Sequence, residues 1–158
     1  MKSFLLNSNY KPILQWGKIP NNVFYEGEVP QGFFKAVCPG KYIVLDVDNK
    51  SPENNGFNYI PMSILSELEN TFNYKTKSGK GRHYWLLYLG GKILMNTSTK
   101  YFLDLRVGER PGNCGGYVLY HHPIDIRQCI HLIKETSPKL NKWLESHFLG
   151  VNYIENEE

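Results

Sequence analysis

Apolar residues in this chain come mostly in short runs bounded by turn residues, a pattern of strands rather than of long helices. The clearest run covers residues 42–48, where Ile43, Leu45 and Val47 fall on one face of an extended chain and Tyr42, Val44, Asp46 and Asp48 on the other. A polar loop, SPENNGFN, follows; Pro61 then opens a helical stretch with Ile64, Leu65 and Leu68 as its apolar stripe. Two more strands are predicted over residues 83–89 (HYWLLYL) and 101–107 (YFLDLRV), then a Gly-rich turn and a fourth strand, YVLYH. Ile126, Ile130 and Ile133 have helical spacing, and Ser137 before Pro138 caps a last helix carrying Leu140, Trp143 and Leu144. The predicted order is strand, helix, three strands, helices, an α+β class without internal repeats. Residues 1–40 carry scattered Pro and Gly (KIPNN, EVPQGFF, CPGK) and give no clear period.

The chemistry concentrates where these strands end. Asp46 and Asp48 share a face, so they repel, a cost that burial raises and a divalent cation turns into attraction; Mg²⁺ is the natural hard partner. The competing reading is an exposed strand end whose carboxylates cap a turn. Asp104 alternates with Phe102 and Arg106 on its own strand and supplies a third ligand if that strand lies beside the first; otherwise it is an ion-pair partner of Arg106. Three converging acids suit two metal ions in phosphoryl transfer. The segment SGKGRH offers the complementary charge, with Ser78, Lys80, Arg82 and His83 around two glycines that let a backbone approach a phosphate. It lacks Walker A spacing and leads into a strand, and its competing reading is a solvated Lys-rich connection with a structural histidine. Gly112, Gly115 and Gly116 read as turn formers, and His121 and His122, adjacent on a strand, point to opposite faces and make a poor metal pair.

Composition narrows the class. A chain of 158 residues with 41% hydrophobic and 14% aromatic content is expected to be one folded, soluble domain, and it has neither an apolar stretch long enough for a bilayer nor a signal-like start, which points to the cytoplasm. Cys38, Cys114 and Cys129 are odd in number and unpaired in spacing, so they read as free thiols. The balance of 18 Lys+Arg against 15 Asp+Glu, net +3, does not by itself mark a nucleic-acid binder, but Lys75, Lys77, Lys80 and Arg82 cluster in one segment, and residues 151–158 form an acidic tail.

The order DVD, then G-R-H entering a strand, then L-D-L-R, a Gly-rich turn and YVLYHHP resembles the archaeo-eukaryotic primase superfamily, in its primase-polymerase branch of phages and plasmids. In that resemblance the acid-x-acid motif falls on Asp46 and Asp48, the small-x-His motif on Gly81, Arg82 and His83, and the hydrophobic-Asp motif on Leu103 and Asp104. It implies an RRM-like antiparallel sheet packed with an N-terminal α/β unit: residues 1–40 as that unit, 41–123 as the motif-bearing sheet, 124–150 as C-terminal helices. It further implies template-dependent nucleotidyl transfer, a DNA primase/polymerase activity, with two Mg²⁺ or Mn²⁺ ions on Asp46, Asp48 and Asp104. His83, Arg82, Lys80 and Ser78 would bind the triphosphate, and Arg106 would neutralise charge beside Asp104. The implied partners are single-stranded DNA template, nucleoside triphosphates, and a separate helicase or helical-bundle domain for which this chain has no room; no membrane is implied. Tyr120, His121, His122 and Pro123 stand where relatives carry a Pro-Pro-Ser-like segment, which bears on substrate contacts and leaves the acids untouched. Two rival functions keep the same residues: a silent RRM-like nucleic-acid-binding or replication-partner module, and a metal-dependent phosphodiesterase.

Overall fold

The structure is a computed structural model that describes residues 1–110 and 113–149. The acidic tail, Gly112 and the Cys114 thiol lie outside the described residues. Among the described residues, eleven strands and two α-helices follow one another. They are β1 (Lys2–Leu6), β2 (Phe34–Cys38), β3 (Ile43–Val47), α1 (Met62–Leu68), β4 (Asn73–Lys75), β5 (Arg82–Leu87), β6 (Thr97–Ser98), β7 (Leu103–Val107), β8 (Glu109–Arg110), β9 (Asn113–Cys114), β10 (Val118–Leu119), β11 (Lys134–Glu135) and α2 (Pro138–Phe148).

The chain is α+β, as its pattern predicts. Its larger sheet runs β11-β5-β3-β7-β6, with β4 also on β5, and a smaller one runs β1-β2-β10. The central four strands, β4-β5-β3-β7, are antiparallel throughout, and α1 connects β3 to β4, the expected RRM-like arrangement. One departure is that α2 follows β7 in the chain instead of preceding it. Only β11 joins β5 in parallel among the described pairings of this sheet.

Burial explains why β3 is the centre. Its Ile43, Leu45 and Val47 pack with Tyr84, Leu86, Leu103 and Leu105 under Ile64 and Leu68 of α1 and Leu140, Leu144 and Phe148 of α2. The opposite face carries Tyr42 and Val44, which pack with Trp85, Tyr74 and Phe72 and with Val37 and Val118 of the smaller sheet. A strand covered on both faces reads as a near-continuous apolar run, and a polar residue in it marks a break in the cover. Asp46 is that residue.

The predicted helix ends hold. Pro61 precedes α1, and Ser137 caps α2 by accepting from the Leu140 amide at 3.1 Å while its own N–H donates to the Glu67 carboxylate at 3.0 Å, which ties α1 to α2. Elsewhere the structure differs. Residues 1–40 are not an α/β unit: they hold β1, β2 and one 3₁₀ turn at Trp16–Lys18, because Pro12, Pro20 and Pro30 with Gly17, Gly27 and Gly32 leave no uninterrupted helical stretch. The 126–133 segment makes two 3₁₀ turns, Ile126–Gln128 and Ile130–Leu132; beyond them the chain is captured as an extended edge beside β5. The predicted fourth strand shrinks to β10 and leaves the motif-bearing sheet to pair with β2. Among the described residues no helix is long and apolar enough to cross a membrane.

Candidate active site

Strand register builds the site. Asp46 on β3 pairs with His83 on β5 and with Asp104 on β7, so histidine and two acids stand in one row on one face of the sheet. Asp48 lies just past the end of β3 on the same face. Its amide donates to the Phe102 carbonyl at 3.0 Å, and its own carbonyl accepts from the Gly56 amide at 2.7 Å. Phe102 has φ of 59°, a left-handed turn that delivers the chain into β7 two residues before Asp104. The predicted strand over 101–107 therefore starts at Leu103, because Tyr101 and Phe102 are spent on this turn.

The acids sit where the apolar cover stops. Asp46 Oδ1 is buried and, among the described residues, has no hydrogen-bond partner; His83 Nε2 stands 3.5 Å away, too far for a good hydrogen bond. The Asp48 carboxyl is pushed above the ordinary carboxylate range, first by burial and then by the charges of Asp46 and Asp104. Three acids thus interact electrostatically around one place. No group of three or more His, Cys, Asp or Glu is arranged as a finished metal cage among the described residues. The donors still fit a hard divalent cation: an orphaned buried carboxylate oxygen beside crowded like charges is what such an ion satisfies.

These residues border a cleft of about 280 Å³ between the two sheets, lined by Asp46, Asp48 and His83 and, from the β4–β5 loop and beyond, by Thr76, Lys77, Ser78, Arg106 and Tyr117. Ser78, His83 and Arg106, which the sequence resemblance assigned to the triphosphate and its charge, all line this cleft. Lys80 and Arg82 do not line the cleft. Arg82, next to His83 on a strand, faces the other way and donates through Nε and Nη2 to Asn73 Oδ1 at 3.0 and 2.7 Å; Lys80 is exposed on the loop. From the β4–β5 loop the cation that reaches the cleft is Lys77, whose Nζ also rests 4.9 Å from the Phe34 ring centre in the smaller sheet.

The loop glycines play another part than a phosphate cradle. The Gly79 amide donates to the Thr76 carbonyl at 2.8 Å, and the Gly81 amide to Thr76 Oγ1 at 3.2 Å. A Cβ on Gly81 would lie 2.5 Å from the Val47 carbonyl, so this glycine is needed where the loop crosses the end of β3. The loop is held by its own bonds, and side chains, not these two amides, face the cleft.

Tyr74 is a site residue that sequence reasoning missed. It pairs in register with His83, and its hydroxyl lies 3.2 Å from His83 Nδ1 and 3.0 Å from Trp85 Nε1. The signal was the turn SGKG: a hairpin across it sets FNYK against RHYW, although β4 is too short for its own pattern to show. No family model matches the chain, and no curated protein matches its sequence.

Proposed function

We propose that the protein is a template-directed nucleotidyltransferase of the primase-polymerase kind, joining nucleoside triphosphates to a growing strand against a single-stranded DNA template. The observation that carries this reading is the buried Asp46 oxygen, without a hydrogen-bond partner among the described residues, in a row with His83 and Asp104 beside a cleft that Lys77, Ser78 and Arg106 also line. Anionic and cationic groups facing one space suit a substrate that carries both metal-binding phosphates and excess negative charge.

In this reading Asp46, Asp48 and Asp104 would hold two Mg²⁺ or Mn²⁺ ions. Such ions, when bound, ease deprotonation of a 3′-hydroxyl and stabilise charge on the departing pyrophosphate. Lys77, Arg106 and Ser78 bind and orient the triphosphate oxygens, and Lys77 spans from the loop to the smaller sheet, so the bound nucleotide is held between the two sheets. His83 donates a hydrogen bond to a phosphate oxygen beside the acids. Strand burial on both sides of Asp46 excludes water from the back of the site, which strengthens each of these charge interactions.

The test is incubation with a primed and an unprimed single-stranded template, nucleotides and Mn²⁺ or Mg²⁺, with products sized on a gel. Extension or new primers that vanish in Asp46→Ala support the proposal. Shortening of the strand would replace it with phosphodiester hydrolysis, and binding without synthesis would replace it with a silent nucleic-acid module.

A further inference from the structure

Trp85 is fully buried, and its indole N–H, a donor only, is satisfied by the Tyr74 hydroxyl oxygen at 3.0 Å. That leaves the Tyr74 proton to be placed. Burial raises the Tyr74 hydroxyl far above its ordinary value, so it keeps this proton. The acceptor it faces is His83 Nδ1 at 3.2 Å. We propose that Tyr74, backed by Trp85, is a positioning residue that holds His83 in the tautomer whose N–H is on Nε2 and points into the acid cleft.

The chain of donors runs one way. Trp85 Nε1–H donates to Tyr74 Oη, Tyr74 Oη–H donates to His83 Nδ1, and His83 Nε2–H is left facing Asp46 Oδ1 at 3.5 Å. In the opposite tautomer His83 Nδ1–H and Trp85 N–H would both aim at one oxygen, the tyrosine proton would lose its acceptor, and a nitrogen lone pair would face a carboxylate. Packing fixes the relay independently of these bonds. The Tyr74 ring sits 5.3 to 5.5 Å from the rings of Phe72, Tyr120, His122 and His83, and Tyr74 and His83 are cross-strand partners. The consequence for the site is a guaranteed donor: beside three acids, the ring offers an N–H and not a lone pair. Its use on a phosphate oxygen rests on the nucleotidyl-transfer reading; the tautomer does not.

Long-range ¹H–¹⁵N correlation of the imidazoles in the metal-free protein, at a fixed pH where the ring is neutral, reads the tautomer directly. The expected wild-type pattern is an unprotonated Nδ1 and a protonated Nε2 at His83. In Tyr74→Phe the two nitrogens should move toward each other as the tautomers mix. A protonated Nδ1 in the wild type overturns the proposal, as does an unchanged pattern in Tyr74→Phe; should that variant not fold, the wild-type spectrum still decides. A second measurement follows binding of a nucleoside triphosphate with Mg²⁺. Tyr74→Phe should weaken it roughly threefold to tenfold, the worth of one hydrogen bond, and add nothing in a His83→Ala background. A further loss in that background overturns the positioning role. If the wild type binds no nucleotide, the nucleotidyl-transfer reading fails while the spectrum still tests the tautomer.

Discussion

Replacing Asp48 by Asn separates a metal site from a strand end, because the two readings predict opposite changes in stability once divalent ions are varied. Without ions the folded protein disfavours the Asp48 carboxylate, through burial first and then through Asp46 and Asp104. The sign follows from proton counts. Above the unfolded value, near 3.8, the native state holds this proton longer than the unfolded chain, so stability falls as pH rises through that window. Asn abolishes the dependence. Two like charges on neighbouring, partly screened positions repel by about 1–3 kcal/mol, and relief of that repulsion is the expected gain at pH 7. For a chain of 158 residues each kcal/mol moves Tm by about 2–4 °C, so the ion-free variant should melt roughly 2–12 °C above the wild type. Saturating ions act in the opposite sense. At about a hundred times Kd a divalent ion adds about 2.7 kcal/mol to the wild type, roughly 5–10 °C, whereas the variant lacks one ligand and gains little. Calorimetric melts in chelator and in Mn²⁺, repeated between pH 4 and pH 7, measure both effects. Equal ion-dependent shifts in both proteins, or an ion-free variant that melts below the wild type, would show that Asp48 is an ordinary strand-end cap.

His83→Ala should weaken nucleotide binding by about tenfold or more while leaving single-strand binding in place, as titrations of each ligand will measure; equal losses would make it a structural histidine. Lys77→Ala should lower nucleotide affinity, whereas Arg82→Ala should leave affinity intact and cost about 1 kcal/mol in a urea melt by taking the donors from Asn73 Oδ1, because Arg82 is turned away from the cleft. Leu45→Ala, at a fully buried position under α1 and α2, should cost about 2–5 kcal/mol by the same melt. Asp125 is held at about 2, chiefly by hydrogen bonds from Arg127, so it contributes stability above its ordinary 3.8 that is lost as pH falls through about 2; acid titration of Asp125→Asn should lack that part of the transition.

Some of this was legible in residue order alone. Alternation along 42–48 places Asp46 and Asp48 on one face whatever lies beside them, since the side-chain period of a strand is a local property. The cap at Ser137 is likewise local: a hydroxyl before a proline satisfies an amide three residues on, and it does so here. The α+β class followed from the same periods. His121 and His122, expected on opposite faces of a strand, instead lie beyond the end of β10 and line one cleft together.

Register was different. The segment between β3 and β5 holds a helix and β4, and the one between β5 and β7 holds a long connection and β6, so no tight turn sets which residues of β3, β5 and β7 stand opposite one another. Only the packing of Ile43, Leu45 and Val47 against Tyr84, Leu86, Leu103 and Leu105 selects the alignment that puts His83, Asp46 and Asp104 in one row; a slip of one residue would turn their side chains into the helical layer. The same alignment sends Arg82 to Asn73 and brings Lys77 to the cleft, although in the sequence both are simply cations beside glycines. Tyr74 shows the limit most plainly. Its three-residue strand carries no period of its own, and it becomes part of the site because β4 pairs with β5 and buries its hydroxyl between an indole N–H and an imidazole nitrogen. Face is decided by neighbours along the chain; opposition across a sheet is decided by the core that both strands must share.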